Sequence, residues 1–134
     1  MVLTPAKDSI DVAILVEDIK KSLAFYQGTL GLAKIEELQM PFGTFHRLRH
    51  GTSDVKLLDS TTIPPADPLG LRPQPGGRSW TLITFEIRNI SSLCHVLKEK
   101  GVEFFVPETQ IRPGARIALL KDPDGNLIEL IERG

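Results

Sequence analysis

The sequence predicts an α+β fold of two βαβββ repeats, which form a cup-shaped mixed sheet with the helices on its outer face. Three observations lead to this prediction: the same order of strand-like and helix-like segments occurs twice, a Pro- and Gly-rich stretch separates the copies, and the copies align. A shift of about 71 positions lays residues 16–19 on 87–90, and a shift of about 73 lays 55–58 on 128–131. Neither repeat can cover both faces of its own sheet, so we expect one domain over residues 1–134.

The first repeat is assigned to residues 8–60. It begins with an apolar run at 10–16, which is short enough to be a buried strand. Asp18 is a good N-cap for the helix that follows, and Gly31 is suited to end it. Four apolar residues at helical spacing predict the buried face of this helix: Ile19, Leu23, Tyr26 and Leu30. Three further strands are predicted, at 32–39, 44–50 and 54–59.

The second repeat is assigned to residues 79–134, after a linker at 61–78 that contains half of the ten prolines. A strand at 80–87 leads to a helix that Asn89 would cap and Gly101 would end. Three more strands are predicted, at 102–106, 116–120 and 126–132, and the segment 122–125 is a strong turn signal between the last two.

Composition narrows the class of partner. The formal net charge of -1 gives no strong field for nucleic acid or an anionic membrane, and no apolar run is long enough for a membrane helix. We therefore expect neither nucleic acid nor membrane as a partner. A single cysteine, Cys94, excludes an internal disulfide and favours a cytoplasmic setting.

The alternation of strand side chains assigns one face of each sheet to the helix and the other to the cup. By the internal symmetry, Asp11 corresponds to Leu82 and Lys56 to Glu129, and all four are expected to converge in the cup. A charged residue on an inward face needs a partner or a metal, because burying it alone is costly. Asp11, Lys56 and Glu129 could form a structural ion-pair cluster or contact a ligand. Lys56 could also bind an anionic substrate or act as an acid/base group.

The histidines leave two readings open. His46 and His50 share one face of their strand, and if that face is the cup, His46 could bind a metal beside Glu129 or act as a general base. The opposite face is equally allowed. His95 is expected at the surface.

Three further residues are candidates for ligand contact. Trp80 and Thr84 fall on the cup face of their strand, where Trp80 would suit a planar ligand or form a rim or dimer contact. Arg112 lies in a segment, 111–116, that is predicted to be a loop over the cup mouth, where it could meet an anion.

Segments 11–19, 22–26, 30–32 and 121–130 resemble the vicinal oxygen chelate superfamily, which includes glyoxalase I, methylmalonyl-CoA epimerase, extradiol dioxygenases and bleomycin-resistance proteins. The resemblance implies the two-repeat cup, and it implies a homodimer. In metal-dependent members, the four converging positions hold His or Gln, Glu, His and Glu. Here they hold Asp11, Lys56, Leu82 and Glu129, and only Glu129 keeps the expected type.

Two hypotheses about function follow. In the first, the chain binds a small, anionic or aromatic molecule in its cup without the standard metal site and without a cofactor, because leucine cannot bind a metal and an ammonium group opposes one. In the second, it is a lyase, isomerase or dioxygenase-type enzyme with an altered divalent metal site made by Asp11, His46 and Glu129. The candidate catalytic groups are Glu129, Lys56 and His46.

Overall fold

The computed structural model describes residues 2, 4–60 and 82–134. The chain divides into two compact units, Met1–Asp67 and Pro68–Gly134. Each unit contains one βαβββ repeat with its own four-stranded mixed sheet, so the predicted α+β fold of two such repeats is confirmed. The predicted linker, 61–78, lies outside the described residues.

The first repeat follows the predicted order of elements. These are β1 (Val12–Val16), α1 (Ile19–Leu23) with a π-helical continuation (Ala24–Thr29), β2 (Ala33–Met40), β3 (Gly43–His50) and β4 (Ser53–Asp59). The strand order is β1-β4-β3-β2, in which β1 and β4 are parallel and the other pairs are antiparallel. The helix provides the crossover that a parallel pair requires.

The π-helical turn corrects the predicted helix face. Asp18 does cap α1, accepting hydrogen bonds from the backbone N–H groups of Lys20 and Lys21. Beyond Leu23 the helix widens, and the N–H of Leu30 donates to the carbonyl of Phe25 at 2.8 Å. A π turn holds more residues than an α turn, so it rotates the following side chains about the axis. The buried side chains are therefore Ser22, Phe25 and Tyr26, whereas Ile19, Leu23 and Leu30 are half-buried.

The second repeat contains β5 (Leu82–Glu86), α2 (Ile90–Glu99), β6 (Phe104–Arg112), β7 (Ala115–Lys121) and β8 (Leu127–Arg133), in the order β5-β8-β7-β6. Strand β6 runs well past the predicted 102–106, so the loop expected at 111–116 is instead a tight hairpin turn at Pro113 and Gly114. Gly114 makes this turn possible because its φ of 80° is one that glycine adopts without strain.

Strand registers bear out the internal repeat. Val12 lies opposite Val55 in the first sheet, and Ile83 lies opposite Ile128 in the second. These pairs are related by the offsets read from the sequence. The antiparallel neighbours correspond in the same way, because Leu48 faces Val55 and Leu120 faces Ile128.

Each sheet buries the face predicted to lie under its helix. In the first repeat the buried side chains are Ile14, Val16, Leu48, Val55 and Leu57, and in the second they are Ile83, Phe85, Leu120, Ile128 and Leu130. We call the opposite face of each sheet its non-helical face. Among the described residues, no helix has the length and apolar character needed to cross a membrane.

Candidate functional site

The non-helical face of the first repeat contains Lys56, with its strand neighbours arranged in three rows across the sheet. The pairing of strands places Asp11, Asp54 and Arg49 in one row, Ala13, Lys56, Arg47 and Glu36 in the next, and Leu15, Leu58, Phe45 and Leu38 in the third. Lys56 therefore lies between a charged row and an apolar row.

A buried carboxylate organises the charged side of this face. The Asp54 side chain is 4% exposed and accepts hydrogen bonds from Arg47 Nε at 2.7 Å and Arg49 Nε at 2.9 Å. Arg47 also pairs with Glu36. Burial alone would raise the pKa of Asp54, but the hydrogen bonds from the two arginines outweigh it and lower that pKa.

The sequence did not predict this network, because arginines at positions 47 and 49 would be equally consistent with two solvent-exposed side chains. The available signal was their spacing, because residues two apart on a strand share a face. Asp54 follows the same hairpin turn and falls opposite Arg49. The network could have been inferred only by assuming the register of that hairpin.

Asp11 is held by other groups of the first repeat. Its Oδ1 accepts hydrogen bonds from Lys7 Nζ at 2.6 Å and from the backbone N–H of Asp54 at 2.7 Å. The bond from Lys7 is the main cause of the lowered pKa of Asp11. Lys7 also donates to the carbonyl of Thr52 at 3.1 Å, so Asp11 helps to fasten the segment before β1 to the turn between β3 and β4.

Lys56 is not brought into the predicted ion pair with Asp11. Its Nζ lies 5.7 Å from the centre of the Phe45 ring, at a distance that permits a cation–π contact. Within the ranges 4–60 and 82–134, no carboxylate oxygen lies within 4 Å of this ammonium.

Phe45 belongs to an apolar patch next to Lys56. It lies between Leu58 and Leu38 in its row, and the ring of Phe42 packs edge-on against it at a centroid distance of 5.9 Å. Leu38, Met40 and Phe42 are each about two-fifths exposed, at 38%, 41% and 39%. The patch therefore extends to the accessible tip of the β2–β3 hairpin.

The second repeat places Thr84 and Glu129 opposite each other on its own non-helical face. Thr84 Oγ1 donates a hydrogen bond to Glu129 Oε1 at 2.9 Å. Apart from Thr84, the nearest strand neighbours of Glu129 on this face are apolar: Leu127, Leu119 and Ile131. Lys121 and Glu86 lie in the rows on either side. Glu129 is thus a half-buried carboxylate in an apolar surround, held by one hydroxyl.

His46 lies on the other face of the first sheet. It is opposite Leu57, is 8% exposed, and has Nδ1 3.4 Å from Glu37 Oε1, with no hydrogen-bond partner for Nδ1 among the described residues. Asp11 and Lys56 belong to the non-helical face, so the sheet separates His46 from both. Asp11 and His46, which the hypothesis of an altered metal site requires side by side, therefore lie on opposite faces of this sheet.

The remaining candidates lie apart from these groups or outside the described residues. Arg112 is exposed at the end of β6, in the hairpin that replaces the predicted loop. Trp80 lies outside the described residues. His95 is at the surface as predicted and pairs with Glu99. Cys94 is 2% exposed, and burial raises the pKa of its thiol.

The second repeat also contains a cleft of about 300 Å³ beside the start of α2, and none of the predicted site residues lines it. Its polar lining includes Ser91, Arg116 and Glu132. These groups are already engaged, because Ser91 Oγ and Arg116 Nε donate to Glu108 at 2.5 and 2.7 Å and Glu132 accepts from the N–H of Ile90 at 2.8 Å. The bond from Ile90 to Glu132 stabilises the start of α2, and Arg116 is already paired with Glu108.

The donor set does not fit the metal that the resemblance implies. Of the four corresponding positions, Leu82 has no donor atom and Lys56 carries a positive charge. The bound oxygen of Asp11 already accepts two hydrogen bonds. In the part of the chain that the structure describes, no group of three or more His, Cys, Asp or Glu side chains is arranged to hold an ion.

Comparison with known proteins agrees with this architecture. The family model of the Glyoxalase/Bleomycin resistance protein/Dioxygenase superfamily matches residues 10–130. The chain is 31% identical over 126 residues to the uncharacterized protein YraH of Bacillus subtilis, covering 90% of this chain and 94% of that one. It is 29% identical over 120 residues to a probable lactoylglutathione lyase of Synechocystis, covering 89% and 90%.

Among solved structures, the antibiotic binding protein TnmS3 of Streptomyces sp. CB03234 has the same fold, with a TM-score of 0.72, 22% identity, and coverage of 98% of this chain and 100% of that one. The segment that the family model matches, residues 10–130, spans both repeats and all eight strands apart from the last residues of β8. The chain therefore belongs to the glyoxalase/bleomycin resistance protein/dioxygenase superfamily.

Proposed function

We propose that this protein binds a small anionic molecule without a metal ion, and that Lys56 is the anchor for the anion. One observation carries the proposal: Lys56 is the cation of its sheet face that has no carboxylate within 4 Å among the described residues, whereas Arg47, Arg49 and Lys7 are all ion-paired. A charge-assisted hydrogen bond from an ammonium to an anion is stronger than a neutral one.

Binding is expected to be independent of metal because the charge is built into the protein. Lys56 stands where metal-dependent relatives would use a carboxylate ligand, and its ammonium supplies a positive charge there without an ion. In the second repeat, Thr84 holds the Glu129 carboxylate by a hydrogen bond, and both residues stay predictions as ligand contacts. Trp80 and Arg112 remain predictions as ligand contacts.

A metal-dependent lyase, isomerase or dioxygenase-type activity is the second candidate. It is favoured by Glu129, which keeps the residue type expected at the fourth position, and by the relative named a probable lactoylglutathione lyase. For this candidate to hold, Asp11 would have to exchange its bonds from Lys7 and Asp54 for a metal ion.

Two further properties are proposed. A cytoplasmic setting fits the single, buried cysteine. A homodimer fits the edge strand β2, on which every residue is exposed, since an unpaired strand edge invites pairing. Light scattering coupled to gel filtration would measure the mass in solution and decide the second point.

Metal content and binding can be tested on the same preparation. The protein is purified without chelator, exposed to Ni²⁺, Zn²⁺, Mn²⁺ and Fe²⁺, and desalted, with Glu129→Ala alongside. Elemental mass spectrometry is expected to find far less than one ion per chain. Ligand-observed NMR with phenylacetate and phenylacetamide is expected to detect binding that EDTA does not change.

The opposite result would favour the enzyme. A stoichiometry of about one ion per chain that is lost in Glu129→Ala would contradict the metal-free proposal, because only a metal site would respond to that carboxylate. Lactoylglutathione lyase activity with added Ni²⁺ or Zn²⁺ would then be the next measurement.

A further inference from the structure

We infer that the ligand is a monoanionic amphiphile, whose single carboxylate-like group meets Lys56 and whose flat apolar body lies along the row of Leu15, Leu58, Phe45 and Leu38. This inference rests on the proposed function and narrows it to one chemical class. It is carried by the distribution of paired charge and apolar side chains over the non-helical face of the first repeat.

The charge balance of this face favours a ligand that carries one negative group. Four cations of the described residues lie on or beside the face, and three of them are neutralised: Lys7 by Asp11, Arg47 by Asp54 and Glu36, and Arg49 by Asp54. A second anionic group on a ligand would lose hydration without gaining a cation, which is costly. The arginines cannot turn to it cheaply, because that would leave buried Asp54 unpaired.

The apolar body is placed by the position of Lys56. Its ammonium lies over the Phe45 ring, which belongs to the apolar row. An anion that meets this ammonium therefore has the apolar row beside it. Four strands spaced about 4.8 Å apart make the row about 14 Å long, which accommodates an aromatic ring with a short chain.

The second repeat cannot offer the same site. The residue that corresponds to Lys56 is Glu129, which lies among leucines and isoleucines and would repel an anion. The preference for an anion should therefore depend on Lys56 alone. This gives the inference a single residue on which it stands or falls.

The test compares three probes that share a benzene ring: phenylacetate, its neutral analogue phenylacetamide, and the dianion phenylmalonate. Dissociation constants are measured by ¹⁵N–¹H NMR titration up to about 10 mM, a concentration that captures millimolar binders. The variants are Lys56→Met, which removes the charge but keeps the length, and Lys56→Arg, which keeps the charge. Lys98→Met is the matched control, because Lys98 Nζ lies 5.9 Å from the Phe104 ring centre in the second repeat.

The expected result is that wild-type protein binds phenylacetate about tenfold tighter than phenylacetamide, the difference that one charge-assisted hydrogen bond supplies. The ratio is expected to fall to about one in Lys56→Met and to persist in Lys56→Arg and Lys98→Met. Phenylmalonate is expected to bind no tighter than phenylacetate, and the shifted signals should include Phe45, Leu58 and Lys56.

Three outcomes would overturn the inference. Equal affinity for phenylacetate and phenylacetamide would show that the negative charge of the ligand contributes nothing to binding. If EDTA changed neither affinity, binding without a metal ion would still be supported. Tighter binding of phenylmalonate would reveal a second available cation. If none of the three probes bound, the proposed ligand class would be wrong. The measured metal content would then test the metal-free proposal separately.

Discussion

The two repeats share a register and differ in the chemistry of their non-helical faces. In the first, Asp54, Lys56 and Leu58 alternate along β4, and the partner strand contributes Arg49, Arg47 and Phe45. In the second, the corresponding sets are Leu127, Glu129 and Ile131 on β8 and Lys121, Leu119 and Ile117 on β7. A face with several paired charges thus corresponds to a face on which apolar residues surround Glu129 and the charged residues Lys121 and Glu86 lie in the adjoining rows.

This comparison shows which residues of a repeat set the register of its strands. The helix-packed residues are apolar in both repeats, with Val55, Leu57 and Leu48 in the first matched by Ile128, Leu130 and Leu120 in the second. A slip of one residue would move this whole set out of the core, so burial pins the register. The non-helical face is free of that constraint, and its charges can change sign without moving the strands.

The largest effect is expected from the equivalent core leucines. Leu48 and Leu120 are both 0% exposed, so Leu48→Ala and Leu120→Ala should each lower the free energy of unfolding by about 3 kcal/mol. Urea denaturation followed by circular dichroism measures both, with the more exposed Leu38→Ala as the control. If one leucine cost much less than its counterpart, the two cores would not be equivalent.

The charged face should be the more sensitive of the two non-helical faces. Asp54→Leu copies the residue of the second repeat but leaves Arg47 and Arg49 without their carboxylate, and we expect a loss of about 2 kcal/mol. This is less than for a fully buried pair, because solvent reaches both guanidinium groups.

The control for Asp54→Leu removes the entire network. The triple variant Asp54→Leu, Arg47→Leu, Arg49→Leu should recover most of the lost free energy of unfolding, because a buried ion cluster replaced by apolar residues is often neutral in stability. A single variant as stable as wild-type protein would mean that the network contributes nothing to folding.

The helix starts provide a smaller contrast. Asp18 accepts hydrogen bonds at the start of α1, whereas the Asn89 side chain makes no capping bond at the start of α2. Asp18→Ala should therefore cost about 1 kcal/mol and Asn89→Ala only about 0.3 kcal/mol. Glu132, which accepts the N–H of Ile90, should matter more than Asn89, and thermal unfolding of Glu132→Ala would check this.

The smallest difference between the repeats is expected in how acid changes the stability that Asp54 and Glu108 contribute. The pKa of Asp54 is lowered from 3.8 and the pKa of Glu108 from 4.5, the latter mainly by the Ser91 hydroxyl and then Arg116. A lowered pKa in the folded state gives stability that is present above the unfolded value and is lost as pH falls through the folded value.

The measurement compares Asp54→Asn and Glu108→Gln with wild-type protein. The stability difference for Glu108→Gln should begin to shrink below pH 4.5, and the difference for Asp54→Asn only below pH 3.8. Urea midpoints recorded at a series of acid pH values provide the curves. Differences that stay constant with pH would show that neither carboxylate is stabilised in its charged form.

Several elements could be predicted because their signals are local. Asp18 as a cap, Gly31 and Gly101 as helix ends, and the 122–125 turn each depend on residues within a few positions of one another. In that turn, Asp122 Oδ1 accepts the N–H groups of Asp124 and Asn126. Asn89 occupies the N-cap position of α2, but its side chain makes no capping bond, and the N–H of Ile90 is accepted by Glu132, 42 residues away on β8.

The candidate site could be predicted only in part. Strand alternation placed Lys56 and Glu129 on the non-helical faces, and the repeat alignment paired each with its counterpart. The same alternation allowed His46 on either face, since its strand has polar residues on both. Only its position opposite Leu57 assigns it to the core face.

The sequence by itself determined the two repeats, the order of their elements and the apolar strand residues of each core, because these follow from periodic patterns that repeat along the chain. Tertiary structure decided which charges on neighbouring strands neutralise each other: Arg47 and Arg49 are paired with Asp54, and Arg47 also with Glu36. The physical reason is that an ion pair between strands depends on distances of a few ångströms across the sheet. Those distances are set when the strands align, and it is that alignment that leaves Lys56 beside Phe45 without a carboxylate partner among the described residues.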